Sequence, residues 1–242
     1  MEITYNFVVP VYNAEKWIGR CMRSIDDQER RNLKMIVVDD MSGDSTAEEI
    51  RSACASLRSK AVIRTNVERL FSLRNIVEAI RTEVDSPEDV VCIVDGDDWL
   101  NSPSVVDRLD IEYSRGALMT YGSFVDEQGR PSNMRPYPDG VVASGLYRRH
   151  RWMASHLKTF KRHLFDRLSD DCFVDGDKWL QMAGDVALMI PMLEMARERA
   201  KFVRDHLYVY NTGNPINDHK VSRREQIRAH RLVSGKRSHA RL

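Results

Sequence analysis

The chain has 242 residues, 42% of them hydrophobic and 30% charged, with a formal net charge of +1. That length is ample for a substantial buried core, and so even a balance gives no case for binding nucleic acid or a membrane surface through bulk charge. The four cysteines, Cys21, Cys54, Cys92 and Cys172, form no CxxC pair, which argues against a zinc site or a secreted disulfide scaffold and fits a reducing compartment.

Taken in order, "ITYNFVVPV" reads as a strand. "AEKWIGRCMRSI" follows as a helix, with Trp17, Ile18, Cys21, Met22 and Ile25 at helical spacing. The opening lacks the basic start and long apolar stretch of a signal peptide, and no apolar run approaches the ~20 residues of a membrane span. The expectation is a cytoplasmic protein with no transmembrane segment. "KMIVVDD" is a short buried strand, and "STAEEIRSACASL" a helix with Thr46 and Glu49 spaced as a capping box. "AVIRT" reads as a strand, "LFSLRNIVEAIRTEV" as a helix and "DVVCIVD" as a fourth strand. Continuous apolar strands alternating with amphipathic helices predict a mainly parallel, doubly wound α/β sheet.

Ligands of such sheets bind outside the carboxyl ends of the strands. The strand ends here carry "PVYN", "VVDDMSGDS" and "VDGDDW", so acids far apart in sequence are expected on one rim. Asp95, Asp97 and Asp98 repel one another, and their crowding implies a positive partner.

Beyond Asn101 the pattern changes. "SPSVVDRLDIEYSRG" is a helix with Pro103 near its first turn, "ALMTYGSFV" a strand and turn, and "DEQGRPSNMRPYPDG" a turn-rich surface loop. "HLKTFKRHLFDRL" is basic and amphipathic, and a solvated helix face is one reading of it. "MAGDVALMIPMLEMARERA" is a helix interrupted or tightened by Pro191, and "KFVRDHLYVYN" supplies one or two strands. From Lys220 to Leu242 only Glu225 is acidic, so the end is a basic tail. It reads as a solvated helix with a frayed terminus, with an anionic membrane or a nucleic-acid acceptor as the other readings.

The segments "VVPVYNAEKWIGRCMRSI", "IVVDDMSGDST", "SLRNIVEAI", "VDGDDWL" and "GDVALMIPMLEMA", in this order and spacing, resemble the nucleotide-sugar-dependent glycosyltransferases of family 2 over roughly residues 3 to 211. The resemblance implies a GT-A fold: a Rossmann-like, mainly parallel sheet flanked by helices, with a smaller acceptor-side half. It divides the chain into a nucleotide-sugar-binding half, 1–101, an acceptor-binding and catalytic-base half, 102–212, and the basic tail, 213–242. It implies a metal-dependent, inverting hexosyl- or pentosyl-transferase that uses a UDP-sugar. The DxD element would hold a divalent cation, Mn2+ or Mg2+, through Asp97 and Asp95, with Asp98 a weaker candidate.

By the same resemblance, Pro10, Val11, Tyr12 and Asn13 lie against the base and ribose, and Asp40 hydrogen-bonds a uracil-type ring nitrogen while Asp39 orients its loop. Arg74 lies near the diphosphate, and Asp95, Gly96 and Asp97 line the donor site. The catalytic base is Asp185, at a helix start that stabilises its charge, with an ordinary N-cap as the plainer reading. His156 and Lys158 are candidate acceptor or diphosphate contacts, and His206, Asn211 and Asn214 either close the site or turn the chain. Leu73 stands where alanine is common in the family, and Met41 and Arg197 where glycine is common.

The acceptor is open: a glycan, a protein-linked glycan, a small molecule or a nucleic acid. The alternatives are a non-catalytic nucleotide-sugar-binding module and a transferase acting on a nucleic-acid base. A nucleotidyltransferase is disfavoured because "PVYNAEKW" has no glycine-rich loop, and a dehydrogenase because GxGxxG is missing after the first strand.

Overall fold

The computed structural model describes residues 3–30, 32–215 and 223–242. Its first strand, β1 (Tyr5–Val11), is buried at every position, as a continuous apolar run at the centre of a sheet should be. Helix α1 (Ile18–Asp26) follows and buries Ile18, Cys21, Met22 and Ile25, the stripe expected from their spacing. Next come β2 (Leu33–Asp39), α2 (Thr46–Cys54), β3 (Lys60–Thr65), α3 (Phe71–Glu83) and β4 (Val90–Ile93). The second half contains β5 (Trp99–Leu100), α4 (Val105–Ser114), β6 (Met119–Asp126), α5 (Asp139–Ser144), β7 (Ser155–Lys161) and α6 (Arg162–Phe165). A small hairpin of β8 (Val174–Asp175) and β9 (Lys178–Trp179) precedes α7 (Gly184–Ala196), β10 (Ala200–Tyr210) and α8 (Arg223–Gly235).

Among the described residues, eight strands form one sheet in the order β3-β2-β1-β4-β7-β6-β10-β5. β3, β2, β1 and β4 run parallel. β7 is antiparallel to both β4 and β6, β6 and β10 are parallel, and β5 closes the far edge antiparallel to β10. The period-two alternation of the strands sends Val8, Ile36 and Ile93 to one face, under α3 and α7. Phe7, Val9, Met35 and Cys92 go to the other, under α1, α2 and α4.

Several local expectations change. The basic segment after Ser155 is no solvated helix: its first half is the interior strand β7, and Lys158 and Lys161 are both only 6% exposed. Thr46 does not cap α2. Asp44 accepts from the Thr46 N–H at 3.0 Å, and the Thr46 hydroxyl accepts from the Ala14 N–H at 2.8 Å, stitching the turn after β1 to the start of α2. "KFVRDHLYVYN" is one strand with irregularities around His206. The turn-rich loop is anchored, with Tyr137 buried and its N–H donating to the Tyr121 hydroxyl at 3.1 Å.

Of the basic tail, residues 216–222 lie outside the described residues. Its end is packed rather than frayed: Val233 is 1% exposed, His239 N–H donates to Glu194 at 3.0 Å, and Leu242 N–H donates to the Met195 carbonyl at 3.1 Å. Among the described residues no helix is long and apolar enough to cross a membrane.

Candidate active site

The carboxyl ends of β1, β2 and β4 open onto a cavity of about 510 Å³, walled on the other side by the start of α7 and the beginning of β7. Pro10, Val11, Tyr12, Asp40, Asp95, Gly96, Asp97, His156, Lys158 and Asp185, ten of the residues singled out from sequence, line it together. Asn13 and Arg74 do not. Asn13 shapes the turn: it sits at φ +47, receives the Gly43 N–H on its side chain at 2.8 Å and donates its own N–H to Ser42 at 2.9 Å. Arg74 pairs with Glu78 at 2.7 Å, one turn along α3, and lies 5.7 Å from the Trp179 ring.

At the end reached from β2, Asp40 is 3% exposed; its carboxylate accepts from the side chain of Asn66 (2.8 Å) and the N–H groups of Leu70 (2.8 Å) and Phe71 (3.0 Å), and forms an ion pair with Arg69 (2.9 Å). Burial pulls its pKa up, but the hydrogen bonds from Leu70, Asn66 and Phe71 outweigh it and hold the group below the usual range. Asp40 thereby ties the loop before α3 to the end of β2. Asp39 orients its own loop by accepting from the Ser42 N–H at 3.1 Å. The Arg69 guanidinium lies 3.2 Å over the Tyr12 ring and 5.1 Å from Phe71. Arg69 and Phe71 both line the cavity and were missed from sequence. The only signal was a basic residue in the loop leading into α3 and an aromatic one at the start of that helix.

At the other end, Gly96 fits because nothing larger can: a Cβ there would lie 2.6 Å from the Val11 Cβ. Its N–H donates to the Pro10 carbonyl at 3.1 Å, and the Asp98 N–H closes a turn onto the Asp95 carbonyl at 2.9 Å. Asp97 receives the Asn214 amide at 2.7 Å. Asp98 is 1% exposed and accepts from the Tyr208 hydroxyl and the Asn211 N–H, both at 2.7 Å. Burial pushes the Asp98 carboxyl well above its ordinary range, and the charges of Asp97 and Asp95 push the same way against those donors. Burial also raises Asp95, opposed by the Lys158 charge and reinforced by that of Asp185.

Lys158 reaches this point through the sheet: β7 runs antiparallel to β4 with Lys158 opposite Ile93, two residues before Asp95. Asp185 lies in the first turn of α7, whose N-cap is Ala183, so the plain N-cap reading does not hold. Its carboxylate accepts the neighbouring Val186 N–H at 2.8 Å. Gly184 lets α7 approach α3, since a Cβ there would lie 2.9 Å from that of Leu73. Asn214 lines the cavity; His206 does not, and its carbonyl accepts from Asn101 at 2.8 Å.

A model of one protein family, described as glycosyl transferase family 2, matches residues 6–175. Glycosyltransferase GlyA of Streptococcus pneumoniae serotype 4 is 23% identical over 220 residues, 84% of this chain and 30% of GlyA. The crystal structure of S. aureus TarS 1-349 in complex with UDP-GlcNAc is similar with a TM-score of 0.67 at 17% identity, over 96% of this chain and 65% of that chain. Mannosyltransferase PcManGT from Pyrobaculum calidifontis in complex with GDP-Man and Mn2+ gives 0.62 at 20% identity, over 87% and 57%. The chain thus spans less than a third of GlyA and less than two thirds of either solved chain. The likeness to the solved structures establishes the fold, the mostly parallel curled sheet of GT-A proteins.

Proposed function

The chain belongs to glycosyl transferase family 2, and on that premise we propose that it moves a sugar from a nucleotide-sugar, a UDP-sugar, to an acceptor hydroxyl with inversion at the anomeric carbon. The observation that carries this reading is the convergence of Asp95, Asp97, Lys158 and Asp185 in one cavity whose far end is formed by Tyr12, Asp40 and Arg69. UDP-GlcNAc in TarS and GDP-Man with Mn2+ in PcManGT support a nucleotide-sugar donor for the same fold.

The nucleotide would lie along the ends of β1 and β2, its base beside Tyr12 and Arg69 and its diphosphate toward Asp95 and Lys158. Asp185 takes the acceptor proton as the hydroxyl oxygen attacks the anomeric carbon. The new C–O bond forms on the face opposite the breaking one, whose electron pair leaves with the diphosphate. Lys158 contributes positive charge near the departing phosphate.

The donor set fits a hard divalent cation, Mn2+ or Mg2+. Asp95 and Asp97 offer carboxylate oxygens, and desolvation and crowding raise the local carboxyl pKa values, an imbalance that a cation relieves. Among the described residues no three His, Cys, Asp or Glu side chains form a cage, which suits a cation that completes its shell with substrate phosphates and water. When bound, the cation supplies charge neutralisation for the leaving diphosphate.

The test is donor hydrolysis across UDP-, GDP-, dTDP- and CMP-sugars with Mn2+, Mg2+ or EDTA. Slow release of UDP that EDTA and Asp97→Ala abolish is the expected result. Asp185→Asn is expected to abolish transfer while leaving cation-dependent UDP binding intact. Full transfer in either variant rejects that residue's role, and binding of no donor rejects the reading.

A further inference from the structure

Asp98 and Tyr208 are 110 residues apart, yet they form a buried hydrogen bond behind the cavity wall. The Tyr208 hydroxyl lies 2.7 Å from the Asp98 carboxylate and 3.1 Å from the Asp95 backbone nitrogen. The chemistry fixes the direction of both bonds. The Asp95 N–H can only donate, so the phenol oxygen accepts there, and its single proton goes to Asp98. One oxygen therefore bridges both ends of the Asp95–Asp98 segment. Its position is set by the sheet: on β10, Tyr208 stands opposite Leu100 of β5 and Phe124 of β6. Its ring stacks on His156, centroids 4.4 Å apart and planes at 14°. The segment is also held by the Gly96 N–H to Pro10 carbonyl bond, the Asp98-to-Asp95 turn, the Cys21 thiol on the Asp95 carbonyl at 3.7 Å and the Asn214 amide on Asp97 at 2.7 Å.

We propose that Tyr208 is a positioning residue, which fixes the backbone from which Asp95 and Asp97 project and so presets their carboxylates for the cation and diphosphate; this rests on the donor reading above. Asp98 is then the anchor of the segment rather than a cation ligand. Its two oxygens accept from Tyr208 and from the Asn211 N–H. Without the phenol oxygen, the Asp95 N–H and the Asp98 carboxyl group each lose a buried partner, and the tie between the two ends of the turn is gone.

The test is Tyr208→Phe, which keeps the ring and its stack on His156 and removes only the hydroxyl. UDP and uridine affinities are measured by calorimetry in Mn2+ and in EDTA, alongside the thermal midpoint. The expected result is a cation-dependent gain in UDP affinity reduced about tenfold or more, the scale of a lost hydrogen bond to a charged group, with uridine affinity unchanged. A purely structural role would lower uridine and UDP affinity together. An undiminished gain in Tyr208→Phe overturns the proposal. Asp98→Asn keeps the shape but offers one oxygen to two donors, so it is expected to lower the same gain about tenfold, and Tyr208→Phe added to it to lower the gain little further. An undiminished gain in Asp98→Asn overturns the proposal even where Tyr208→Phe does not fold. Wild-type protein that binds no UDP in either buffer rejects the donor reading itself, a result distinct from these.

Discussion

The string VDGDxWL occurs twice, at 94–100 and 174–180, with Gly96 and Gly176 at the same place in it. The first lies on the cavity wall, the second in the exposed hairpin of β8 and β9. Gly96 is required for space, its missing Cβ leaving room for Val11 at 2.6 Å. Gly176 is required for conformation, at φ +59 with nothing within 4 Å. Gly96→Ala is expected to cost about 1–3 kcal/mol and to weaken nucleotide binding, whereas Gly176→Ala should cost about 1 kcal/mol and leave binding unchanged. Urea midpoints and UDP titrations of the pair check this. Met41 adopts φ +62, a backbone conformation costly for a residue with a Cβ, so Met41→Gly should relieve strain. Asp40 gives the pH dependence. Its carboxyl is held below the ordinary range, so its stabilisation is present above the unfolded value near ~3.9 and lost as pH falls through the lower folded value. The stability gap between wild type and Asp40→Asn in urea should be about 1–3 kcal/mol at neutral pH and shrink toward zero on that descent.

At the scale of elements, α7 and β7 bring the second half of the chain to the site. From Val186 to Ala196 every residue of α7 is buried, as its nearly uninterrupted apolar sequence implies. Its one acid in that stretch, Glu194, is 1% exposed and takes two hydrogen bonds from Arg148, at 2.7 and 3.0 Å. His239 of the folded-back tail donates to the same carboxylate. Arg148→Ala leaves that carboxylate buried without its cation and is expected to cost about 3–5 kcal/mol, while Arg148→Met with Glu194→Leu should cost far less. Chemical denaturation of the single and double variants decides it. Strand β7 was hidden by its composition. Its lysines suggest a solvated face, but Lys161 donates to the Glu88 carbonyl at 2.7 Å and Lys158 meets the cavity. Each buries its stem and keeps a polar destination for its ammonium.

For the whole molecule, a ligand that binds only the folded chain stabilises it by mass action, about 2.7 kcal/mol at a hundredfold excess over Kd. For a chain of this size each kcal/mol is about 2–4 °C in Tm. UDP with Mn2+ is therefore expected to raise Tm by roughly 5–11 °C, and UDP in EDTA by less. A thermal shift that ignores the cation would count against Asp95 and Asp97 as its holders.

Sequence by itself determined the elements around β1, β2 and β4, because a buried parallel strand must be apolar throughout and an amphipathic helix must repeat its stripe. With the rule that ligands sit at strand carboxyl ends, it also brought Tyr12, Asp40 and Asp95 to one rim. Only the tertiary structure decided that β7 enters between β4 and β6 and sets Lys158 opposite Ile93. It also decided that Arg69, not Arg74, faces the cavity, and that Asp98 belongs to Tyr208. Those facts depend on strand order and register between segments far apart in the chain. A shift of one residue turns every side chain of a strand to the other face, and nothing in the local pattern of either segment records which partner it will meet.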